Sequence, residues 1–229
     1  MGLAISYSFN LTDASISEAR EKVIALHQCA SELSLIQIGE LIELEGEACL
    51  FQQPDPHIVL KTCALRPEEI VQNLLNNTAE TKCCYLIGFN ILPGQGSSGA
   101  AFGLATHLGE SKNWLWHASC KTQYASNPEY GGTENFVKCH LSVLRMVEYA
   151  QELGILKEVV DPSGYWEQRN LEALVETVAE QNVLTAAIMG SIKDAFSTQG
   201  YRTIAPILDW ANFEYLEARG NDLKMRGDK

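Results

Sequence analysis

Basic residues are scarce in this chain: 17 Lys and Arg stand against 29 Asp and Glu in 229 residues, a net charge of −12. Nucleic-acid and anionic-membrane surfaces both need clustered cations, so neither is an expected partner. Long apolar runs are missing too. The longest, Cys83 to Leu92, is interrupted by Asn90 and falls well short of the ~18 residues of a membrane span. No C-x-x-C pair occurs, and the seven cysteines (29, 49, 63, 83, 84, 120 and 139) are odd in number and irregular in spacing. The first twenty residues lack a basic stretch followed by an apolar core, so reduced thiols and a cytoplasmic location are expected. Met1-Gly2-Leu3-Ala4-Ile5-Ser6 fits a myristoylation pattern, but no basic cluster or nearby Cys supplies a second anchor. Internal repeats, low-complexity tracts and linkers are also absent. One compact domain over residues 1–220 is therefore expected, followed by a polar tail at 221–229.

What is present is a globular composition, 46% hydrophobic and 20% charged. Leu3–Leu11 alternates as a strand with Ile5, Tyr7 and Phe9 on one face. Ser15 and Glu18 then form a capping box that opens a helix to about Leu33. Gly39–Leu44, Glu47–Phe51 and His57–Leu65 read as short strands, and Pro67 with Glu68 and Glu69 starts a helix to about Asn76. Cys83–Leu92, Ala100–His107 and Asn113–Tyr124 read as strands. A helix from Thr133 or Glu134 ends near Gly154, and Leu156–Val160 is a further strand. Trp166–Phe196 is helical, with Gly190 the expected break, and a last helix runs from about Ile204 to Arg219. Several strands are adjacent in sequence, so the class is α+β: a largely antiparallel sheet with helices on one face and a helical C-terminal region.

Gly94-Gln-Gly96-Ser-Ser-Gly99 is a literal G-x-G-x-x-G after a strand. The following segment is too short for a crossover helix, and no acidic residue lies about twenty positions on, so a hairpin loop is favoured over a dinucleotide site. Three glycines in six residues would also let successive amides gather around an anionic or carbonyl group. Ser98 between Gly96 and Ala100 approximates a nucleophile elbow, but the elbow's last glycine is replaced. Only Glu110, Glu129 and Glu134 lie between Ser98 and His140 to orient that histidine, which makes hydrolase chemistry a poor fit. His117, Cys120, Cys139 and His140 have the residue types of a zinc site. Residues 117 and 120 point to opposite faces of a strand, however, and 139 and 140 diverge on a helix, so no metal is expected.

The strand 113–124 divides into two faces. Trp114, Trp116, Ala118, Cys120, Thr122 and Tyr124 form a core face that makes Cys120 a buried thiol. Leu115, His117, Ser119, Lys121 and Gln123 form a polar one. His140 falls at the centre of the Phe136–Ala150 apolar stripe and Asn182 inside that of the long helix, with Glu167 and Lys193 flanking it. Each buried polar group needs a partner, and for His140 a carboxylate such as Glu167 is a candidate. Asp161-Pro-Ser-Gly164 is a turn, and Tyr165, Trp166, Glu167 and Arg169 after it suit a pocket rim. The stretch from Phe89 to Arg169, with Lys121-Thr-Gln-Tyr124, Gly131-Gly132 and Tyr165-Trp-Glu167, resembles a group of uncharacterised bacterial proteins. That resemblance implies no activity.

Four Trp, a polar strand face and polar residues inside apolar stripes exceed what a plain core requires. The expected function is a cytosolic protein that binds a small molecule, by an anionic or a carbonyl group, near the glycine loop. The candidate site residues are Gly94, Gly96, Ser97, Ser98, Gly99, His117, Lys121, His140, Tyr165, Glu167 and Arg169. The alternative is a non-catalytic oligomeric or scaffold protein whose glycine loop only turns the chain. The sequence identifies no cofactor and leaves enzyme or binding protein open.

Overall fold

In the computed structural model, which describes residues 2–110, 112–197 and 200–227, alternating segments build a seven-stranded antiparallel sheet. The strands are β1 (Ala4–Leu11), β2 (Gln37–Ile38), β3 (Ile42–Glu45), β4 (Cys83–Leu92), β5 (Ala100–His107), β6 (Trp114–Lys121) and β7 (Leu156–Val160). Their order is β2-β4-β5-β6-β1-β7, with β3 also pairing with β4. The register sets Phe9 opposite Trp116 and Phe89 opposite Phe102, and the buried rings of Tyr7, Phe9 and Phe89 all stack against Phe102 on one face.

Two long helices cover that face. In α1 (Ile16–Glu32) the Ser15–Glu18 capping box is formed, and His27 meets the Phe89 ring edge-on at 4.8 Å. α4 (Gly132–Glu152) packs against α1, β1 and β7. The α+β architecture is as the sequence implies. On the other face, the short helix α2 (Ile58–Cys63) packs on β4, β5 and β6. α3 (Pro67–Asn76) is fixed by Glu69, whose carboxylate accepts from the amides of Arg66 and Lys82. It therefore keeps Val71, Leu74 and Leu75 exposed. The C-terminal region, α5 (Tyr165–Gln168), α6 (Leu171–Ser197) and α7 (Phe213–Gly227), is helical, with Val183, Ala186, Ile207, Trp210, Phe213 and Leu216 in a small core of their own.

Several boundaries differ from expectation. The strand expected at Asn113–Tyr124 stops at Lys121, and Gln123–Ser126 is a 3-10 turn that buries Gln123 instead of presenting it on a polar strand face. The strand expected at Gly39–Leu44 is divided between β2 and β3, with residues 39–41 outside both. His57–Leu65 contains a helix, not a strand, because Lys61 must point inward to pair with Asp55 at 2.8 Å and donate to the Leu50 carbonyl. The strand expected at Glu47–Phe51 is a 3-10 turn, Gly46–Cys49. The long helix breaks at Arg169–Asn170 rather than at Gly190, where a Cβ would collide with Glu217 of α7. The last helix begins at Phe213 and runs to Gly227, through most of the segment expected as a tail.

All seven cysteines are free thiols. Cys83 is buried and Cys84, at a break in the β4–β5 register, is half-buried; neither is bridged. The Cys83 thiol donates to the Tyr85 carbonyl at 3.5 Å, and that of Cys49 to the Leu44 carbonyl at 3.4 Å. Thiol titration of the denatured, unreduced protein is expected to recover seven. A count of five would show one bridge, with the adjacent pair Cys83–Cys84 the first to test.

Candidate functional site

The glycine loop is the hairpin between β4 and β5, and its shape follows from what it packs against. Gly96 has φ +78°, and a Cβ there would lie 2.4 Å from the Tyr124 carbonyl oxygen. A Cβ on Gly94 would lie 2.3 Å from the Cys139 sulfur. Asn135 Nδ2 donates to the carbonyls of Gln95 and Ala125, both at 2.9 Å, which ties the loop to the 3-10 turn Gln123–Ser126. The amides of Gly94, Ser97 and Ser98 are engaged by Ser97 Oγ, the Gly94 carbonyl and the Lys121 carbonyl respectively. An anion cradle needs free amides, and these three are already used within the fold.

Lys121 joins the loop by accepting the Ser98 amide at its carbonyl and donating its own amide to Ser98 Oγ at 2.7 Å. Its ammonium lies 4.2 Å from the Tyr124 ring centre. Cys120 donates to the Ser98 carbonyl, and burial pushes its thiol up to about 12, the behaviour of a core cysteine rather than a nucleophile.

His140 is fully buried, and its carboxylate partner is Asp161 rather than Glu167, which stays exposed on α5. Thr122 Oγ1 lies 2.9 Å from Nδ1; Asp161 Oδ2 and Ser163 Oγ both lie 3.3 Å from Nε2. The Ser163 hydroxyl donates to Asp161, which also accepts from the amides of Ser163 and Trp166. Burial alone would push the Asp161 carboxyl up. The hydrogen bond and charge of His140, with the hydroxyl and amide of Ser163, outweigh it and hold the group at about 2. Serine, histidine and aspartate together invite comparison with a hydrolase triad, which needs serine and carboxylate on different ring nitrogens. Here both meet Nε2, and Thr122 holds the other. The cluster locks β6, α4 and the 161–164 turn together. Asn182 is equally structural: it accepts from Gln123 Nε2 and donates to Ser126 Oγ.

The remaining expected residues are dispersed. His117 sits on the outer sheet face, where burial and then the charge of Lys157 lower its pKa. Tyr165 and Arg169 lie beyond Asp161, with the Arg169 guanidinium over the Trp166 ring and paired with Glu148. The chain thus gathers the glycine loop with Lys121, and places His117, His140 and the Tyr165–Arg169 group elsewhere.

What does border the loop is a cavity of about 450 Å³. Gly96 and Ser97 form one wall. Tyr124, Asn127, Glu129 and Tyr130 form a second, and the segment Ile204–Trp210 closes it with Asp209 and Trp210. Tyr124 and Trp210 meet edge to face at 6.2 Å. Three aromatic rings and two carboxylates line the space, and among the described residues no Lys or Arg does. Of this lining the sequence reading had only Gly96 and Ser97; it missed Tyr124, Glu129, Tyr130, Asp209 and Trp210. The only local signal was aromatic residues beside acidic ones in Glu129-Tyr130 and Asp209-Trp210. No protein-family model, curated protein or solved structure matches this chain, and no helix of the described residues is long and apolar enough to cross a membrane.

Proposed function

We propose that the chain is a small-molecule-binding protein whose ligand is an organic cation, held in the cavity against the Gly94–Gly99 loop. The observation that carries this reading is the lining: Tyr124, Tyr130 and Trp210 with Glu129 and Asp209, around about 450 Å³. Ring faces carry negative potential, and a cation over one gains about 1 kcal/mol, more when desolvated. Lys121 against Tyr124 already uses that attraction. The volume lies within the range of metabolite sites, and the net charge of −12 draws cations toward the surface. Loop amides used within the fold and two lining carboxylates both argue for a cation over an anion.

Benzyltrimethylammonium is a suitable probe, followed by calorimetry at low salt. It is expected to bind one site per chain. Tyr130→Ala removes an exposed ring and weakens binding about fivefold, and Asp209→Asn weakens it about threefold and flattens its salt dependence. Benzenesulfonate is expected not to bind. Affinity that both variants leave unchanged, or a preference for the sulfonate, would overturn the assignment.

A further inference from the structure

The outer face of the sheet carries a trough that has no part in the loop cavity. Its middle is a space of about 440 Å³ between α2 and α3, presenting Ile58, Val59 and Ile70, and a β6 floor of His117, Ala118 and Ser119. At one end it shares His117 and Ala118 with a recess of about 190 Å³ lined by Ser8 and Glu158. At the other it shares Val59 and Ser119 with a recess of about 640 Å³ lined by Asn90, Ser98 and Gly99. The three run together from β7 and β1, over β6, to β4.

Each end recess is lined by a residue whose polar atom is buried without a partner. Ser8 Oγ and Asn90 Oδ1 both lack a hydrogen bond, and Ser8 is 5% exposed. Native proteins leave few such atoms, because an unpaired buried polar group carries its full desolvation cost. Ser8 lies directly between His117 and Glu158 in the strand register, yet its hydroxyl bonds to neither. The floor and walls between the two atoms are mainly apolar. Their separation spans three strand steps, at least about 14 Å, the length of an alkyl chain of ten to twelve carbons.

The charges facing the trough decide the ligand's sign. His117 is held toward its neutral form by burial, and the charges around it are Lys157 and Glu158 of β7 and Glu68 of α3. Of these only Glu158 lines a recess, and no Lys or Arg of the described residues does, which disfavours an anionic head. Asn90 Oδ1 can only accept, so the group that meets it must donate.

We infer that this trough is a second ligand site, for a neutral, extended molecule with an alkyl body and a hydroxyl at each end, one donating to Asn90 Oδ1 and the other meeting Ser8 Oγ. The probe is 1,12-dodecanediol, with dodecanoate as the anionic comparison, measured on the full chain by native mass spectrometry and calorimetry. The diol is expected to bind one to one and more tightly than dodecanoate. Ser119→Phe, at an exposed position, fills the middle of the trough and is expected to weaken the diol more than about tenfold. Ser8→Ala removes the orphan hydroxyl, so it should raise the melting temperature of the free protein while weakening the diol about fivefold. Tyr130→Ala in the loop cavity should leave diol binding unchanged, which separates this site from the cation site. Tighter binding of dodecanoate, full diol affinity in Ser119→Phe, or a lowered melting temperature in Ser8→Ala would each overturn the inference.

Discussion

Replacing Trp116 with alanine is expected to lower the unfolding free energy by about 4 kcal/mol. The size follows from where the indole sits. β5 and β6 pair at only two positions, Ala105 with Leu115 and Thr106 with Trp114, and meet again where the Ser98 amide donates to the Lys121 carbonyl. Between those points the Ala101 carbonyl accepts from the Tyr7 hydroxyl at 2.9 Å and from Trp116 Nε1 at 3.0 Å. Two side chains thus take the place of the missing ladder bonds. Gly88 and Gly103, paired across β4 and β5, make room for the ring: a Cβ on Gly103 would lie 2.5 Å from the Ile87 carbonyl oxygen and 2.8 Å from the indole. Alanine at position 116 therefore removes a fully buried ring and leaves part of the Ala101 carbonyl's bonding unmet. Trp116→Phe keeps most of the apolar volume and loses the N–H, so about 2 kcal/mol is expected for it. Urea unfolding checks both values through the midpoint, with the slope unchanged. A loss below about 1 kcal/mol in the alanine variant would show that the two strands close on their own.

Much of this frame was legible in the sequence because the signals were local. Alternation marks β1 and β6, and runs rich in apolar residues mark β4 and β5. The Ser15–Glu18 box and Pro67 mark helix starts, and both are where the structure has them. His57–Leu65 misleads because Ile58, Val59 and Leu60 give it the look of a buried strand. The deciding interaction, Lys61 with Asp55, lies outside the periodic pattern. The candidate site divides in the same way. That His140 is buried follows from its place in a helical stripe. That Asp161 is its partner does not, because the carboxylate comes from a turn 21 positions later whose approach depends on the packing of β7. The rings around the loop cavity come from residues 124, 130 and 210, a convergence that tertiary structure alone creates.

Asp161→Ala is the other substitution expected to be severe, with a loss of about 3–5 kcal/mol at neutral pH. The variant strips the acceptor from His140 Nε2, the Ser163 hydroxyl and the amides of Ser163 and Trp166 at once, all in a region closed to water. Its pH dependence has a definite sign. The carboxyl ordinarily titrates near 3.8 and is held at about 2 in the folded chain. A lowered folded value means the stabilisation is complete above the unfolded pKa and is lost as pH falls through the folded one. Wild type should therefore lose about 2 kcal/mol more than Asp161→Ala as the pH is lowered from about 4 to 2. Denaturant unfolding of both proteins across that window measures the difference, and parallel curves would show that Asp161 is not held in its charged form. Binding of the ammonium probe by residual folded Asp161→Ala is expected to match wild type, because no member of the Thr122–His140–Asp161–Ser163 cluster lines the loop cavity. Lost binding in that folded fraction would instead make the cluster part of the site, with His140 acting through the 3-10 turn that carries Tyr124.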